Sequence, residues 1–85
     1  MLTSHLSRKA QRYLDRLDDA TASRILDLIE SLCDAPLQES KTKALHGKEP
    51  LRRARLGNYR IVYYVDDDTL EVVRIGPRGD VYKDL

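Results

Sequence analysis

The hydrophobic periodicity of this chain changes once, near residue 50, and that change limits the folds that the chain can adopt. Before it, two segments repeat apolar residues at intervals of three and four, as amphipathic helices do. After it, three segments are alternating or rich in β-branched residues, as strands are. The sequence therefore predicts an α+β domain, in which a two-helix antiparallel hairpin packs on one face of a small antiparallel sheet and leaves the other face open.

The two predicted helices are separated by a short polar connection. The first runs from about Ser7 to Leu17, and the second follows an N-cap offered by Asp18 and Asp19. Pro36 marks the end of the second helix, because the residue before a proline is pushed out of helical geometry. The second helix is expected to bury an apolar stripe consisting of Ala22, Ile25, Leu26, Ile29, Leu32 and Cys33.

The predicted strands cover residues 51–56, 59–65 and 69–75 and form an antiparallel meander. Residues 37–50 lack periodicity, so we expect a surface connection there that could include a turn of helix. A short N-terminal strand at residues 2–5 could pair with the sheet edge. The last five residues are read as a short tail.

Length and composition exclude several classes of protein. With 85 residues, the chain is expected to form one domain, residues 1–85. The single cysteine, Cys33, excludes an internal disulfide, and His5 and His46 are too far apart for zinc-site spacing, so we expect no metal or cofactor. No apolar run could span a membrane, and no export leader is recognisable, which favours the cytoplasm. The net charge of +1 does not by itself indicate nucleic acid.

The positive charge is nevertheless concentrated in the segment "LRRARLGNYR", residues 51–60. A tight turn at Gly57 and Asn58 would place Arg53, Arg55 and Arg60 on one face of the hairpin. Arg52 would lie with the apolar residues on the opposite face. Like charges opposite one another cost up to about 1 kcal/mol per pair, and a bound polyanion would offset that cost. The alternative is a solvated edge strand whose charges discourage aggregation.

Several motifs in the second half of the chain are similar to those of a known superfamily. They are "L.G" at Leu45 and Gly47, a basic strand ending in a glycine turn, "YR" opening the next strand, and "IG.R" followed by "VY" near the C-terminus. In these features, residues 45–85 resemble the C-terminal half of the RelE/ParE toxin superfamily. The predicted helical hairpin agrees with that fold.

The resemblance implies that the chain is a toxin of a type II toxin-antitoxin system. The RelE branch consists of ribosome-dependent mRNA endonucleases that cleave by attack of the 2′-OH on the adjacent phosphate, without a metal ion. Carried over residue by residue, the catalytic set is Arg53, Arg55, Arg60, Arg78 and Tyr82, with Arg55 and Arg60 binding the RNA phosphate. Well-known members carry lysines where this chain has Arg53 and Arg55, so the identity of the general base is left open.

The resemblance also implies partners and leaves two alternatives. The expected partners are a cognate RelB-like antitoxin, the ribosome and mRNA, with no membrane and no direct DNA binding by this chain alone. One alternative is a ParE-like gyrase inhibitor of the same fold. The other is a non-catalytic module that binds its antitoxin and acts in transcriptional autoregulation.

Overall fold

The fold consists of two helices and a five-stranded sheet. A computed structural model describes residues 1–37 and 42–82. Its elements in chain order are β1 (Thr3–Leu6), α1 (Arg8–Asp15), α2 (Asp19–Asp34), β2 (Thr42–Ala44), β3 (Arg52–Leu56), β4 (Tyr59–Asp66), β5 (Thr69–Pro77) and the 3₁₀ helix η1 (Asp80–Tyr82). The sheet order is β1-β5-β4-β3-β2, with β1 parallel to β5 and all other neighbours antiparallel. The predicted α+β class and the meander of β3, β4 and β5 are confirmed.

The two outer strands differ in how well the sequence predicted them. The N-terminal strand is confirmed, shifted by one residue, and pairs with the β5 edge from Thr3 to Leu6. The prediction of an irregular connection over residues 37–50 is wrong in part, because β2 lies within it and pairs with β3. Three residues are too few to display an alternation, so no periodicity could have revealed this strand. Residues 38–41 of that predicted connection lie outside the described residues.

Both helices begin at side-chain caps. The Ser7 hydroxyl accepts a hydrogen bond from the Ala10 amide at 3.1 Å, and an Asp18 carboxylate oxygen accepts one from the Thr21 amide at 3.1 Å. The Ser7 amide donates to the Val72 carbonyl at 2.8 Å. The chain therefore leaves the sheet at Ser7 and enters α1 directly, which fixes α1 beside β5.

The core lies between the helices and one face of the sheet. Its buried residues are Ala10, Leu14, Ile25, Leu28, Ile29, Leu32 and Cys33 from the helices and Ala54, Ile61, Tyr63, Leu70, Val72 and Ile75 from the sheet. The predicted stripe of α2 is wrong at Leu26, which is 45% exposed, whereas Leu28 is 6% exposed. Leu28 lies three residues after Ile25 and four before Leu32, so it shares their face, while Leu26 is turned about 100° from Ile25.

The second face of the sheet is covered in part by the C-terminal segment, so the expectation of a fully open face is wrong. η1 contacts β4 and β5, and Val81 is fully buried. A Cβ atom built on Gly76 of β5 would lie 3.6 Å from the Val81 Cβ, so Val81 packs directly over Gly76. Val81 and Tyr82, the first two residues of the predicted tail, thus belong to a short cover on the face that carries the predicted arginines. Residues 83–85 of that tail lie outside the described residues. Among residues 1–37 and 42–82, no helix is long and apolar enough to cross a membrane.

Candidate functional site

Three of the predicted site residues lie on one face of the β3–β4 hairpin. Arg55 is directly opposite Arg60, and Arg53 is opposite Val62. Because side chains alternate between the faces of a strand, Arg53, Arg55 and Arg60 leave the sheet on the side away from the helices. We call this side of the hairpin the arginine face. The predicted register and face are both confirmed.

Arg52 belongs to the opposite side of the sheet, as predicted. It is paired with the core residue Tyr63. Its Nη2 donates a hydrogen bond of 2.9 Å to the Thr42 hydroxyl of β2. Arg52 therefore ties β3 to the outer strand β2 and takes no part in the arginine face.

Arg60 is the most buried of the three arginines, with 7% of its surface exposed. Its Nη1 donates to the Gly57 carbonyl at 3.0 Å and to the Tyr59 carbonyl at 3.1 Å. Within the described part of the chain, no Asp or Glu forms an ion pair with it. The guanidinium is thus anchored by neutral carbonyl groups, and no carboxylate among the described residues compensates its charge.

The electrostatics of Arg60 show which groups surround it. Burial lowers the pKa of Arg60, and repulsion from Arg55 is the next largest cause. Arg53 and Arg78 lower this pKa further, whereas Tyr82 raises it. The structure therefore brings the other four predicted site residues within electrostatic range of Arg60. We call Arg53, Arg55, Arg60, Arg78 and Tyr82 the arginine cluster.

The β3–β4 turn holds the C-terminal part of this cluster. The Arg78 amide donates a hydrogen bond of 2.8 Å to the Asn58 carbonyl, so the segment after β5 is fixed to the turn. Gly79 has a φ of +92° and turns the chain into η1, where the Tyr82 amide donates to the Gly79 carbonyl at 3.4 Å. Arg78 is exposed and Tyr82 is half-buried. Both residues thus reach the arginine face through the turn and η1.

The contacts of the turn carbonyls and the packing of Val81 were not predicted. Main-chain carbonyls of Gly57 and Asn58 leave no signature in a sequence, since any residue carries the same group. Val81 could have been suspected, because it lies beside Tyr82 in the "VY" motif and is the only apolar residue between Pro77 and Tyr82. Its burial shows that the motif serves packing as well as placing the tyrosine.

The arginine cluster has a defined chemical capacity. Four guanidinium groups can donate paired hydrogen bonds to phosphate oxygens and can stabilise developing negative charge. Arginine remains protonated at neutral pH, so these groups are poor general bases. Within the residues that the structure describes, no group of three or more His, Cys, Asp or Glu side chains could hold a metal ion. The arginine cluster is therefore suited to binding a polyanion and to stabilising the negative charge that develops in the transition state when that polyanion reacts.

Other residues considered from the sequence lie outside the cluster. Cys33 is a buried core residue, as predicted, and burial raises the pKa of its thiol. His5 lies on β1, where its Nδ1 is 3.0 Å from a Glu71 carboxylate oxygen. His46 is exposed in the connection before β3. Tyr63 is fully buried, and Tyr13 and Tyr59 pack against the core, in agreement with a packing role for these rings.

Comparison of the sequence with known families finds one match over nearly the whole chain. The family described as the ParE toxin of type II toxin-antitoxin system matches residues 5–82. No curated protein sequence matches this chain.

Solved structures with the same fold include toxins crystallised with their antitoxins. The chain is 28% identical to a protein in the archaeal RelE-RelB complex from Pyrococcus horikoshii, with a TM-score of 0.78 over 93% of this chain and 97% of that one. It is 27% identical to a protein in the toxin-antitoxin complex RelBE2 from Mycobacterium tuberculosis, with a TM-score of 0.76 over 91% of this chain and 98% of that one. A chain of the intact E. coli RelBE complex is 20% identical, with a TM-score of 0.78 over 91% and 96%, and supports the fold alone.

Proposed function

Since this chain belongs to the ParE toxin family of type II toxin-antitoxin systems, within the RelE/ParE superfamily, we propose that it is a ribosome-dependent mRNA endonuclease. The arginine cluster is its active site, and it cleaves the message without a metal ion. The family assignment alone does not select this activity, because the superfamily includes toxins with different targets.

The burial of Arg60 is the observation that carries the proposal. A cation that is removed from water and surrounded by other cations destabilises the folded protein unless a counter-charge arrives. A phosphate group bound between Arg60 and Arg55 would supply that counter-charge. An arginine face that served only solubility would keep its guanidinium groups in water, and Arg60 does not.

The proposed reaction uses the 2′-OH of the message as the nucleophile. The 2′-oxygen bonds to the adjacent phosphorus, the bond from phosphorus to the 5′-oxygen breaks, and the 2′-OH proton leaves as the 5′-oxygen gains one. Arg55 and Arg60 hold the scissile phosphate and stabilise the charge of the phosphorane. The products are a 2′,3′-cyclic phosphate, which water can open to a 3′-phosphate in a second step, and a 5′-OH.

The remaining three residues of the cluster act beside the phosphate. Arg53 faces the 2′-OH. Arg78 stabilises or protonates the leaving oxygen, and Tyr82 stacks on a base or orients the 2′-OH. Because no residue of this set is a strong base at neutral pH, the isolated protein is a poor nuclease, and the ribosome must align the message for attack.

The partner that controls this activity is a RelB-like antitoxin. Structural relatives from P. horikoshii and M. tuberculosis are in complexes of this type. An acidic antitoxin segment would neutralise the arginine face or displace η1, which carries Tyr82. Displacement of η1 would also uncover Val81, so it would need apolar contacts in return.

The match to the ParE toxin family is the observation behind a second candidate function. This candidate is the inhibition of DNA gyrase, which the resemblance to the ParE branch implies. The two candidates are separated by expressing the toxin in cells and comparing Arg60→Ala and Arg78→Ala with Arg24→Ala, an exposed control on α2. If the toxin is a nuclease, the two cluster variants should lose growth inhibition and transcript cleavage while still binding the antitoxin. Arg24→Ala should keep growth inhibition and transcript cleavage. Growth inhibition that persists in the cluster variants, with DNA breaks and intact transcripts, would support gyrase as the target.

A further inference from the structure

A second basic surface lies outside the arginine cluster, where α1 passes beside β5. It is a shallow groove of about 230 Å³, which we call the α1 groove. Its lining consists of Lys9, Arg12, Tyr13 and Arg16 from the α1 region and Arg74 and Ile75 from β5. Four of these six residues are cations, and within the described residues no acidic side chain lines it.

The cations of the α1 groove follow from local structure. Lys9, Arg12 and Arg16 are spaced by three and four residues, so they share one face of the helix. β1 pairs with β5 only as far as Val72, and beyond that residue the β5 edge lies beside α1. Arg74 is paired with Val62, so its side chain leaves the sheet on the same side as the arginine cluster. Arg74 therefore connects the two basic surfaces around the sheet edge.

The separation between the two surfaces matches a short length of RNA. Arg74 and Arg78 are four residues apart along β5 and its continuation, which corresponds to about 13 Å of extended chain. A stacked strand advances about 3.4 Å per nucleotide, so about four nucleotides cover this distance, and fewer are needed if the strand is extended.

The structure points to the α1 groove as a binding site for the sugar-phosphate backbone of the same message strand, a few nucleotides from the scissile phosphate. This inference rests on the proposed endonuclease function. The groove would hold the flank of the message while the arginine cluster acts on one phosphate. It would contribute affinity without reading the sequence, because phosphate contacts carry no base information.

The apolar content of the groove favours RNA over an antitoxin helix. A helix bound in a groove needs apolar anchors at spacings of three, four and seven residues. Of the described residues that line the groove, Tyr13 and Ile75 are the apolar ones, and both pack in or against the core. The Tyr13 ring contacts the Tyr59 ring edge-on, with centroids 6.4 Å apart and planes at 66°, and Ile75 is 3% exposed.

RNA binding by the isolated toxin tests this inference. The probes are fluorescent oligonucleotides of about 4 and about 12 nucleotides with 2′-O-methyl groups, which cannot be cleaved, and affinity is measured by anisotropy over a range of salt. The groove variant is Arg12→Gln/Arg16→Gln. The matched control is Arg8→Gln/Arg24→Gln, which removes the same charge from exposed helix positions outside the groove. Glutamine preserves helix propensity, and circular dichroism checks the fold of each variant.

We expect the wild type to bind the longer probe more tightly than the shorter one. The groove variant should lose that gain, and its salt slope for the longer probe should be smaller by about 1.4, since each cation that contacts a single strand contributes about 0.7. Its affinity for the shorter probe should be unchanged. The control should keep the gain. Equal weakening by both double variants, or a groove variant that weakens only antitoxin binding, would overturn the inference. Since the probes are not cleaved, failure of the endonuclease proposal would be seen separately, as intact message on ribosomes.

Discussion

The backbone amide of Arg78 donates a hydrogen bond of 2.8 Å to the carbonyl oxygen of Asn58, which lies in the tight turn between β3 and β4. The preceding carbonyl, that of Gly57, accepts from the Arg60 guanidinium at 3.0 Å. Two successive carbonyls of one turn thus hold the side chain of Arg60 on β4 and the main chain of Arg78, just after β5. The turn sets the spacing between these arginines, and its geometry depends on a glycine with a φ of +58°.

Gly57→Ala should destabilise the protein by about 1–2 kcal/mol, since an L-residue with a side chain is disfavoured in the left-handed region. Among the described residues, no atom lies within 4 Å of a Cβ built at this position, so the cost is conformational and not steric. Urea unfolding measures the change. Gly76→Ala is the control, because its Cβ would make only ordinary contact with Val81 and its stability should change by less than about 1 kcal/mol. Equal destabilisation of the two variants would contradict a special role for the turn.

Arg55→Gln should stabilise the free protein by about 0.2–1 kcal/mol at low salt, because it relieves the repulsion between Arg55 and Arg60 across the hairpin. The gain should shrink at about 1 M salt, where charges are screened beyond about 3 Å. Urea unfolding at both salt concentrations checks this, with Arg24→Gln on α2 as the control that changes little. A destabilised Arg55→Gln would mean that the cluster is held together by contacts other than those described above.

Protonation of Asp18 should weaken the cap of α2. Hydrogen bonds from the side chain and backbone of Thr21 hold the pKa of Asp18 below its ordinary value of 3.8. The carboxylate therefore stabilises the folded state above that value, and the stabilisation is lost as the pH falls through the lower folded-state pKa. Asp18→Asn keeps a capping side chain that does not titrate. The stability of the wild type relative to Asp18→Asn should fall as the pH is lowered from neutral through the folded-state pKa of Asp18. A difference that does not change with pH would exclude this titration.

Leu32→Ala should lower the free energy of unfolding by about 2–5 kcal/mol. Leu32 lies on α2 and is fully buried in the protein core, so its truncation leaves a cavity. Leu26→Ala, on the same helix, should cost much less, because nearly half of the Leu26 side chain is already in water. Urea unfolding of both variants tests which face of α2 is buried. Similar costs at the two positions would support the wider apolar stripe that the sequence predicted.

The sequence predicted features that depend on local periodicity and turn chemistry. The hairpin register at Arg55 and Arg60 follows from a two-residue glycine turn, and the limits of α2 follow from a capping aspartate and a proline. Strand β2 was missed because its three residues are stabilised by pairing with β3 and not by a local pattern. The predicted buried stripe of α2 was wrong at Leu26, because a leucine beside the stripe is equally apolar whether it packs against the core or lies in water.

For the candidate site, the sequence predicted which side chains share a face but not how deeply they lie. Alternation along β3 and β4 was enough to group Arg53, Arg55 and Arg60. Arg60 is buried, and Val81 of η1 packs over Gly76, the residue paired with Arg60, in a tertiary contact that no local pattern encodes. Arg78 and Tyr82 were assigned by resemblance alone, and the structure places both near Arg60.

Cleavage of message on programmed ribosomes tests the central claim most directly. Purified wild-type toxin, Arg60→Ala and Arg24→Ala are compared on ribosome-bound and free message, and the product ends are identified chemically. We predict that the wild type and Arg24→Ala cut only ribosome-bound message, leaving a 5′-OH and a cyclic or 3′-phosphate, and that Arg60→Ala is slower by about 10²–10³-fold. Intact message on ribosomes, equal cutting of free RNA, or products with 5′-phosphate and 3′-OH ends would contradict the account.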